Sequence, residues 1–577
     1  MAEKQVVQAT AKAAPARAMI ETEELVKEFK THSVAEFFKK NRQMLGFSGK
    51  IRSMTTIVHE YVTNSLDACE SANILPEVKL KIEQLGQDHY KVSVEDNGPG
   101  MPEEIAAKAV GQLLAGTKFH RLVQSRGQQG IGASGCTMYA VMTTGKPSHI
   151  KTCTTKGECT EMDVIVDVKN NKPVTENVKK SVDKNWHGTI VSAEFKDVQF
   201  VESSKGPLEY VRRIAIANPH ASFTVKTPDG RTIKFSRTSN HIPLKAEPIL
   251  PHPKGTTTDE LMEIARKTDA RKVSSMLKNE FSRMGDKKIE EIQEWVNKHG
   301  KVKFDLNIAP DAMTWQEAEQ IVGAIKNTDF MAPQTDTLRP IGIDRIEKSL
   351  KSIVSPEFVA VSERPPKVYR EGIPFQVEAV IAYGGGAGRD AGKAEKDDES
   401  QEGVAPHTLG EGGTRKGLEL MRFANKTPLM FDEGGCATSA AVKTVDWKRY
   451  GIKDVDNEPV TVFVNVSSVY IPYTSAGKQA ISDEEEVLTE IRYALMDAGR
   501  RIDRFVRGKA RAHERALKKK RLEAYLPETA KAIAGMSGEK ESVVLKKMTE
   551  IIERKFEEID LEAEEEAAEE EGGGDAE

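Results

Sequence analysis

Cysteine is scarce in this chain: five in 577 residues. Cys69, Cys136, Cys153, Cys159 and Cys436 are scattered and form no C-x-x-C pair, which argues against a zinc site or a disulfide framework. Buried thiols in a reducing cytoplasm are the expectation. No apolar run approaches the length of a membrane span, and the N-terminus lacks the apolar core of a signal peptide, so no membrane is expected. The net charge of -5 does not announce nucleic-acid binding, so any basic surface must be local. Internal repeats are missing too. What is present is ordinary for a soluble protein: 38% hydrophobic and 30% charged residues, with length for roughly four domains.

Residues 1–20 are rich in Ala, Lys and Gln and are expected to be disordered. Residues 22–42 read as a helix, with Leu25, Phe29, Ala35, Phe37 and Phe38 as its apolar face. From 46 to 240 helical patterns mix with strands at 90–95, 162–168 and 189–195, which is an α+β arrangement. Residues 248–253, with three prolines, form a linker, and 258–350 read as mostly helical. A second α/β region starts at 372–383, where Val377, Ala379 and Ile381 alternate. It is interrupted at 384–413 by a Gly- and acid-rich loop expected to be mobile, and strand pattern resumes at 460–469. Ser482 has the place of an N-cap and Glu485 that of its capping-box partner. The helix they open is expected to end before Pro527, spanning about 60 Å. Its second half is basic, from Arg500 to Arg521, which fits a solvated face or a DNA contact. The acidic end from Glu557 is expected to be unstructured.

Three short motifs carry chemistry. Glu60, Asn64 and Asp67 are spaced by four and three, so they share one helical face, while Ile57, Val58, Tyr61, Val62 and Leu66 cover the others. A carboxylate there can deprotonate water, and an amide oxygen can bind Mg²⁺. A solvated polar face has the same spacing. Asp96 ends a strand and is followed by Asn97, Gly98, Pro99 and Gly100. The glycines allow a tight turn close to a ligand, and the carboxylate can accept from an adenine amine; a plain turn fits as well. Gly127, Gln128, Gln129, Gly130, Ile131 and Gly132 resemble an anion-cradling loop that opens a helix. The pattern is neither a Walker A loop nor a Rossmann fingerprint. Thr117 and Lys118 could add a hydroxyl and a charge near phosphates, or lie at the surface. Thr189, after His187 and Gly188, could line the adenine side or simply begin a strand.

In this order the motifs resemble the GHKL ATPase superfamily over residues 46–240. That superfamily contains gyrase-type ATPases, MutL proteins, Hsp90 and histidine kinases. The stretches 60–68, 127–132, 422–429 and 446–450 resemble more closely the B subunits of archaeal type IIB topoisomerases, the DNA topoisomerase VI family. The closer resemblance implies an α+β multidomain fold: an N-terminal strap (1–45), a GHKL (Bergerat) α/β sandwich (46–245), a helix–two-turns–helix domain (246–332) and a transducer (333–526) ending in a long helix (483–526); the acidic tail (527–577) departs from the family pattern. The resemblance implies ATP and Mg²⁺ as cofactors, Glu60 as general base, Asn64 as magnesium ligand and Asp96 as adenine contact. Asp67, Gly98, Gly100, Thr117, Lys118 and Thr189 would complete the pocket, with 127–134, including Ala133 and Ser134, as the lid over the triphosphate. Lys426 would be the transducer lysine that reaches the γ-phosphate, and Trp447, Lys448 and Tyr450 a DNA-contacting loop. The implied activity is ATP-driven passage of one duplex through a break in another, with ATP-dependent dimerisation of two copies of this chain. Cleavage would fall to a separate A subunit with a toprim domain and a tyrosine, in an A2B2 heterotetramer, since no such motif is seen here. A MutL-like repair ATPase and an Hsp90-like clamp are the alternatives.

Overall fold

The computed structural model describes residues 34–116, 122–127, 130–370, 372–388, 417–475 and 477–572, with backbone alone over 557–572. Expectations for 1–33, for Thr117, Lys118, Gln128 and Gln129, and for the loop beyond Gly388 lie outside these residues.

A short helix α1 (Val34–Lys40) leads into α2 (Lys50–Ser71). Then come β1 (Glu77–Gly86), β2 (His89–Asp96), α3 (Glu103–Gly111), α4 (Gly132–Thr144), β3 (Ser148–Cys153), β4 (Glu158–Asp167), β5 (Lys172–Val182), β6 (Gly188–Lys196), α5 (Pro207–Ala217), β7 (Ser222–Lys226) and β8 (Thr232–Phe235). The eight strands form one sheet in the order β5-β4-β3-β6-β2-β1-β7-β8. Only β1 and β7 among these neighbours run parallel. Strand β2 buries Tyr90, Val92, Val94 and Asp96 on one face, as its alternation predicts. That face meets Ile57, Val58, Tyr61, Val62 and Leu66 of α2, so the apolar residues of the helix form the domain core. Each such side chain contributes about 1.5–3 kcal/mol when fully buried.

Four helices follow: α6 (Thr258–Lys267), α7 (Val273–Glu280), α8 (Asp286–His299) and α9 (Trp315–Lys326). Capping boxes from Thr257 to Glu260 and from Thr314 to Glu317 start α6 and α9. These helices enclose a core of their own around Leu277, Phe281, Ile292 and Ile321. Helix α10 (Ile343–Ile353) belongs elsewhere: Ile346 and Leu350 pack with Phe423 and Phe463 of the second sheet.

That sheet holds β9 (Phe358–Glu363), β10 (Lys367–Tyr369), β11 (Ile373–Tyr383), β12 (Leu418–Ala424), β13 (Thr427–Pro428) and β14 (Val460–Ser468). Its order is β10-β11-β14-β12-β13, with β9 also on β11. Residues Pro374–Ala382 of β11 are all buried, because helices cover both faces of the sheet. The alternation of Val377, Ala379 and Ile381 therefore reads only one of its two buried faces. Helix α11 (Ala437–Thr444) and the first half of α12 (Glu485–Ser537) pack on one side.

Four expectations are corrected. Helix α12 runs through Pro527 to Ser537, about 80 Å in all. Beyond the sheet it is held by α13 (Glu541–Gly572), with Leu526, Ala530, Val544 and Phe556 buried along the hairpin. A packed partner outweighs the one backbone hydrogen bond that proline removes, and Gly538 at φ +71° ends the helix instead. The acidic end is helical in backbone to Gly572 rather than unstructured. Ser482 does not cap α12, since its hydroxyl donates to Pro472 O at 2.8 Å and Glu484 stands at the N-cap. Finally, Cys153 and Cys159 face each other across β3 and β4 and are joined as a disulfide. A hairpin register sets that pairing, and C-x-x-C spacing has no part in it.

Candidate functional site

Helix α2 forms one wall of a cavity of about 310 Å³. From Ser53 to Leu66 only His59, Glu60 and Asn64 escape burial, and all three line the cavity. Asp67 lines it one turn further on. The polar face is thus a pocket wall set into a buried helix, where the sequence also allowed a solvated face.

The Glu60 carboxylate rests against the first residue of α4. A Cβ on Gly132 would come within 1.8 Å of Glu60 Oε2, so only glycine admits the carboxylate there. His59 Nε2 lies 3.8 Å from Glu60 Oε1. Burial lowers the pKa of His59 against the opposing pull of Glu60, which favours a neutral ring. A carboxylate beside amides at a helix start is placed to take a proton from a water held near an anion.

At the far end, Asp96 is buried at the close of β2. Its Oδ1 accepts from Gly98 N (2.9 Å) and Thr189 N (3.2 Å), and its Oδ2 accepts from the Ser65 hydroxyl (2.9 Å). Burial raises its pKa although these donors oppose the shift. The carboxylate lines the cavity with Val94, Met101, Val191 and Thr189, a slot of apolar walls with one fixed acceptor. Gly100 closes the slot at φ +68°, where a Cβ would fall 1.9 Å from Cys153 O. Gly98 acts from behind, through its amide on Asp96.

Gly127, Gly130, Ile131, Gly132 and Ala133 line the opposite end. Gly130 has φ +58°, and the stretch opens α4. Ser134 is buried in the first turn of α4 and does not line the cavity. A glycine-bordered helix start facing a cavity is an anion cradle.

Lys426 is not among the residues that line this cavity. It sits 6% exposed in the turn between β12 and β13, at φ +66°, and burial lowers its pKa, with Glu70 opposing the shift and Arg126 adding to it. The lysine that does line the cavity from the second sheet's side is Lys478, next to Gly477. Its Nζ donates to Arg126 O at 3.4 Å, and its charge acts on His59. In the sequence Lys478 is one lysine after the strand pattern of 460–469, and only its neighbouring Gly477 hints at a close approach.

Arg126 is the second residue that sequence reasoning missed; a charge directly before Gly127 was its only signal. Its buried guanidinium binds Asp67 Oδ1 at 2.8 Å and grips Glu70 with two bonds of 2.9 and 2.6 Å. It also donates to Asn218. His220 Nε2 lies 2.8 Å from Glu70 Oε1. Burial works against the charge on Glu70, but Arg126 and His220 outweigh it and hold the carboxyl well below the usual range. Asp67 therefore lines the cavity with one oxygen already committed to an arginine.

Trp447 and Tyr450 are packing residues. The indole donates to Val442 O at 3.1 Å, and a Cβ on Gly499 would meet the Tyr450 ring at 2.9 Å. Lys448 and Arg449 between them are exposed. Among the described residues no helix is long and apolar enough to cross a membrane.

Two family models match the chain. Residues 49–170 match the histidine kinase-, DNA gyrase B-, and HSP90-like ATPase model, and residues 333–519 match that of the topoisomerase VI B subunit transducer. The type 2 DNA topoisomerase 6 B subunit of Thermococcus sibiricus is 43% identical, over 95% of this chain and 99% of that protein. The proteins of the same name from Pyrococcus horikoshii (43%; 94% and 99% covered) and Methanothermobacter thermautotrophicus (44%; 91% and 96% covered) are similarly close.

Proposed function

The chain belongs to the family of type 2 DNA topoisomerase 6 B subunits, and from that premise we propose that Glu60 hydrolyses ATP in the α2 cavity. The enzyme is an ATP-driven type II topoisomerase, and this chain carries its GHKL-type ATPase domain. One observation carries the residue assignment: Glu60 faces the cavity and touches the glycine that opens α4, so base and anion cradle adjoin.

Adenine fits the slot at Asp96, whose Oδ2 keeps acceptor capacity beyond its bond from Ser65. The amides around Gly130 to Ala133 suit the phosphates, and Glu60 takes the proton of the attacking water. Asn64, exposed in an otherwise buried stretch, offers the hard oxygen that suits Mg²⁺. When bound there, the ion supplies charge neutralisation for the phosphates. Lys426 keeps its expected role as the transducer lysine that reaches the γ-phosphate, and Lys478 is a cation on the cavity wall, also able to neutralise a terminal phosphate. Thr117 and Lys118 keep their expected places near the phosphates, and Gln128 and Gln129 theirs on the lid.

ATP would bring two copies of this chain together over duplex DNA, with cleavage by an A subunit in an A2B2 assembly in the cytoplasm. The ATPase unit would end near 245 and the helical unit near 332, as α9 closes at Lys326 and the transducer match begins at 333. Lys448, Arg449 and the exposed cations of α12 from Arg500 onward are the candidate DNA contacts. The assignment is tested by the purified chain with and without its DNA-cleaving partner. Alone it should hydrolyse ATP and leave supercoiled plasmid unrelaxed; relaxation by the chain alone would refute the division of labour.

A further inference from the structure

His59 and Glu60 are consecutive on α2, and consecutive side chains on a helix diverge by about 100°. Their tips nonetheless converge, with His59 Nε2 3.8 Å from Glu60 Oε1. The packing around them explains this. Residues 53–58 and 61–63 are buried, and both side chains turn into the cavity that they line. The imidazole is also held from behind. The ring of Tyr210 on α5, fully buried, meets it edge to face, with 5.4 Å between centroids and 70° between planes.

The two oxygens of Glu60 face different neighbours. Oε2 is the one that a Cβ on Gly132 would strike, at the start of α4 where the anion cradle opens. Oε1 is on the imidazole side. A carboxylate free to turn about its last bond presents either oxygen to the cradle. One held by a donor at Oε1 keeps Oε2 there, where an attacking water would meet a phosphate. From 3.8 Å a small rotation of either side chain completes a hydrogen bond, and contacts of this kind shorten when a ligand fills the site.

A neutral donor suits the task better than a charged one. An imidazolium would orient the carboxylate too, but its charge would lower the proton affinity of the base. Burial and the Lys478 cation both disfavour the charged ring, against the pull of Glu60.

We propose that His59 is a positioning residue for ATP hydrolysis: its Nε2–H holds Glu60 Oε1, so that Oε2 takes the proton of the attacking water. This rests on the reading of Glu60 as the general base. In this role His59 needs no contact with the nucleotide, so its loss should lower kcat and leave KM alone.

The test uses the full chain in steady-state ATPase assays, with calorimetry for a non-hydrolysable ATP analogue. His59→Leu keeps bulk against Tyr210 and removes the donor. His59→Gln puts an amide nitrogen near the place of Nε2, and His59→Asn puts one near Nδ1, too short to reach Glu60. In His59→Leu and His59→Asn kcat should fall about tenfold, the loss of one positioning hydrogen bond, while His59→Gln stays within about threefold of the parent. KM and analogue affinity should be unchanged in all three. His59→Leu added to Glu60→Gln should leave the residual turnover of Glu60→Gln as it is, as expected of residues acting as a unit.

Parental kcat in His59→Leu or His59→Asn would overturn the proposal. So would a raised KM with unchanged kcat, which would make His59 a nucleotide contact. An equal loss in His59→Gln would reduce the ring to packing, and a further loss in the double variant would show it acting apart from Glu60; either result also overturns it. Should His59→Leu fail to fold, the contrast between His59→Asn and His59→Gln decides. The base reading is judged separately: parental turnover in Glu60→Gln alone removes Glu60 from that role, whatever the His59 variants do.

Discussion

Two sheets in this molecule bury their strands differently. In β2 of the ATPase sheet, buried and half-buried residues alternate, and the open face carries surface pairs such as Lys79 with Glu95 at 2.8 Å. In the transducer sheet β14 is buried from Val460 to Ser468 without a break, polar residues included. Polar groups there cannot rely on water, so each finds a protein partner. Glu378 accepts from Ile341 N, Gly342 N and Asn465; Glu419 meets Arg212 at 3.2 Å; Arg422 donates to Phe431 O at 2.8 Å. The ATPase sheet shapes a cavity, and the transducer sheet is a filled joint in which charges lock elements together.

This comparison predicts a ranking of effects. Breaking a buried lock should cost most. Glu419→Ala removes the buried anion that β12 sets against Arg212 and Arg213 and should lower unfolding free energy by about 3–5 kcal/mol. Lys79→Ala on the open face should cost no more than about 1 kcal/mol. Urea titrations of both variants check this, and equal costs would erase the distinction between the sheets.

Gly132→Ala comes next. Its Cβ would displace the Glu60 carboxylate, so ATP turnover should fall about 100-fold, with ADP binding retained in calorimetry. Normal turnover would mean that Glu60 is not working from this position.

Lys478→Met should weaken binding of a triphosphate analogue about tenfold, the loss of one charge-assisted hydrogen bond, and leave ADP unaffected. Equal weakening of both nucleotides would place Lys478 away from the terminal phosphate.

The smallest effect concerns pH. Burial, partly offset by Glu70 and reinforced by Arg126, lowers the pKa of Lys426 from 10.5 to about 8; Glu378 and Arg345 also face it. Because the folded-state value is the lower one, the unfolded chain binds more protons between these two values. Stability from this group therefore rises with pH across that window. Lys426→Met should flatten the rise when the two proteins are unfolded in urea at a series of pH values. Identical slopes would show Lys426 unperturbed.

How much of this could be read from sequence follows the same contrast. The spacing of Glu60, Asn64 and Asp67 was legible because the face of a buried helix that borders a cavity still shows its period, and β2 was legible because one face is open. Strand β12 was not seen, since a strand buried on both faces has no alternation and carries Glu419 and Arg422 among its apolar residues. Lys426 is expected to reach the nucleotide from the resemblance alone, since nothing in its own spacing marks it. Its left-handed backbone and its buried surroundings exist only in three dimensions. Lys478 and Arg126 are set by packing between units far apart in sequence, such as the 352-residue separation of the Lys478–Arg126 contact. Pro527 was weighed as a local breaker, while its helix is held by a partner that folds back later in the chain.

The central claim is that the α2 cavity hydrolyses ATP through Glu60. It is tested most directly by measuring ATP affinity and turnover of the full-length Glu60→Gln variant beside the parent. The account predicts unchanged affinity and turnover lowered by about 10²–10⁴-fold. Turnover equal to the parent's would contradict it.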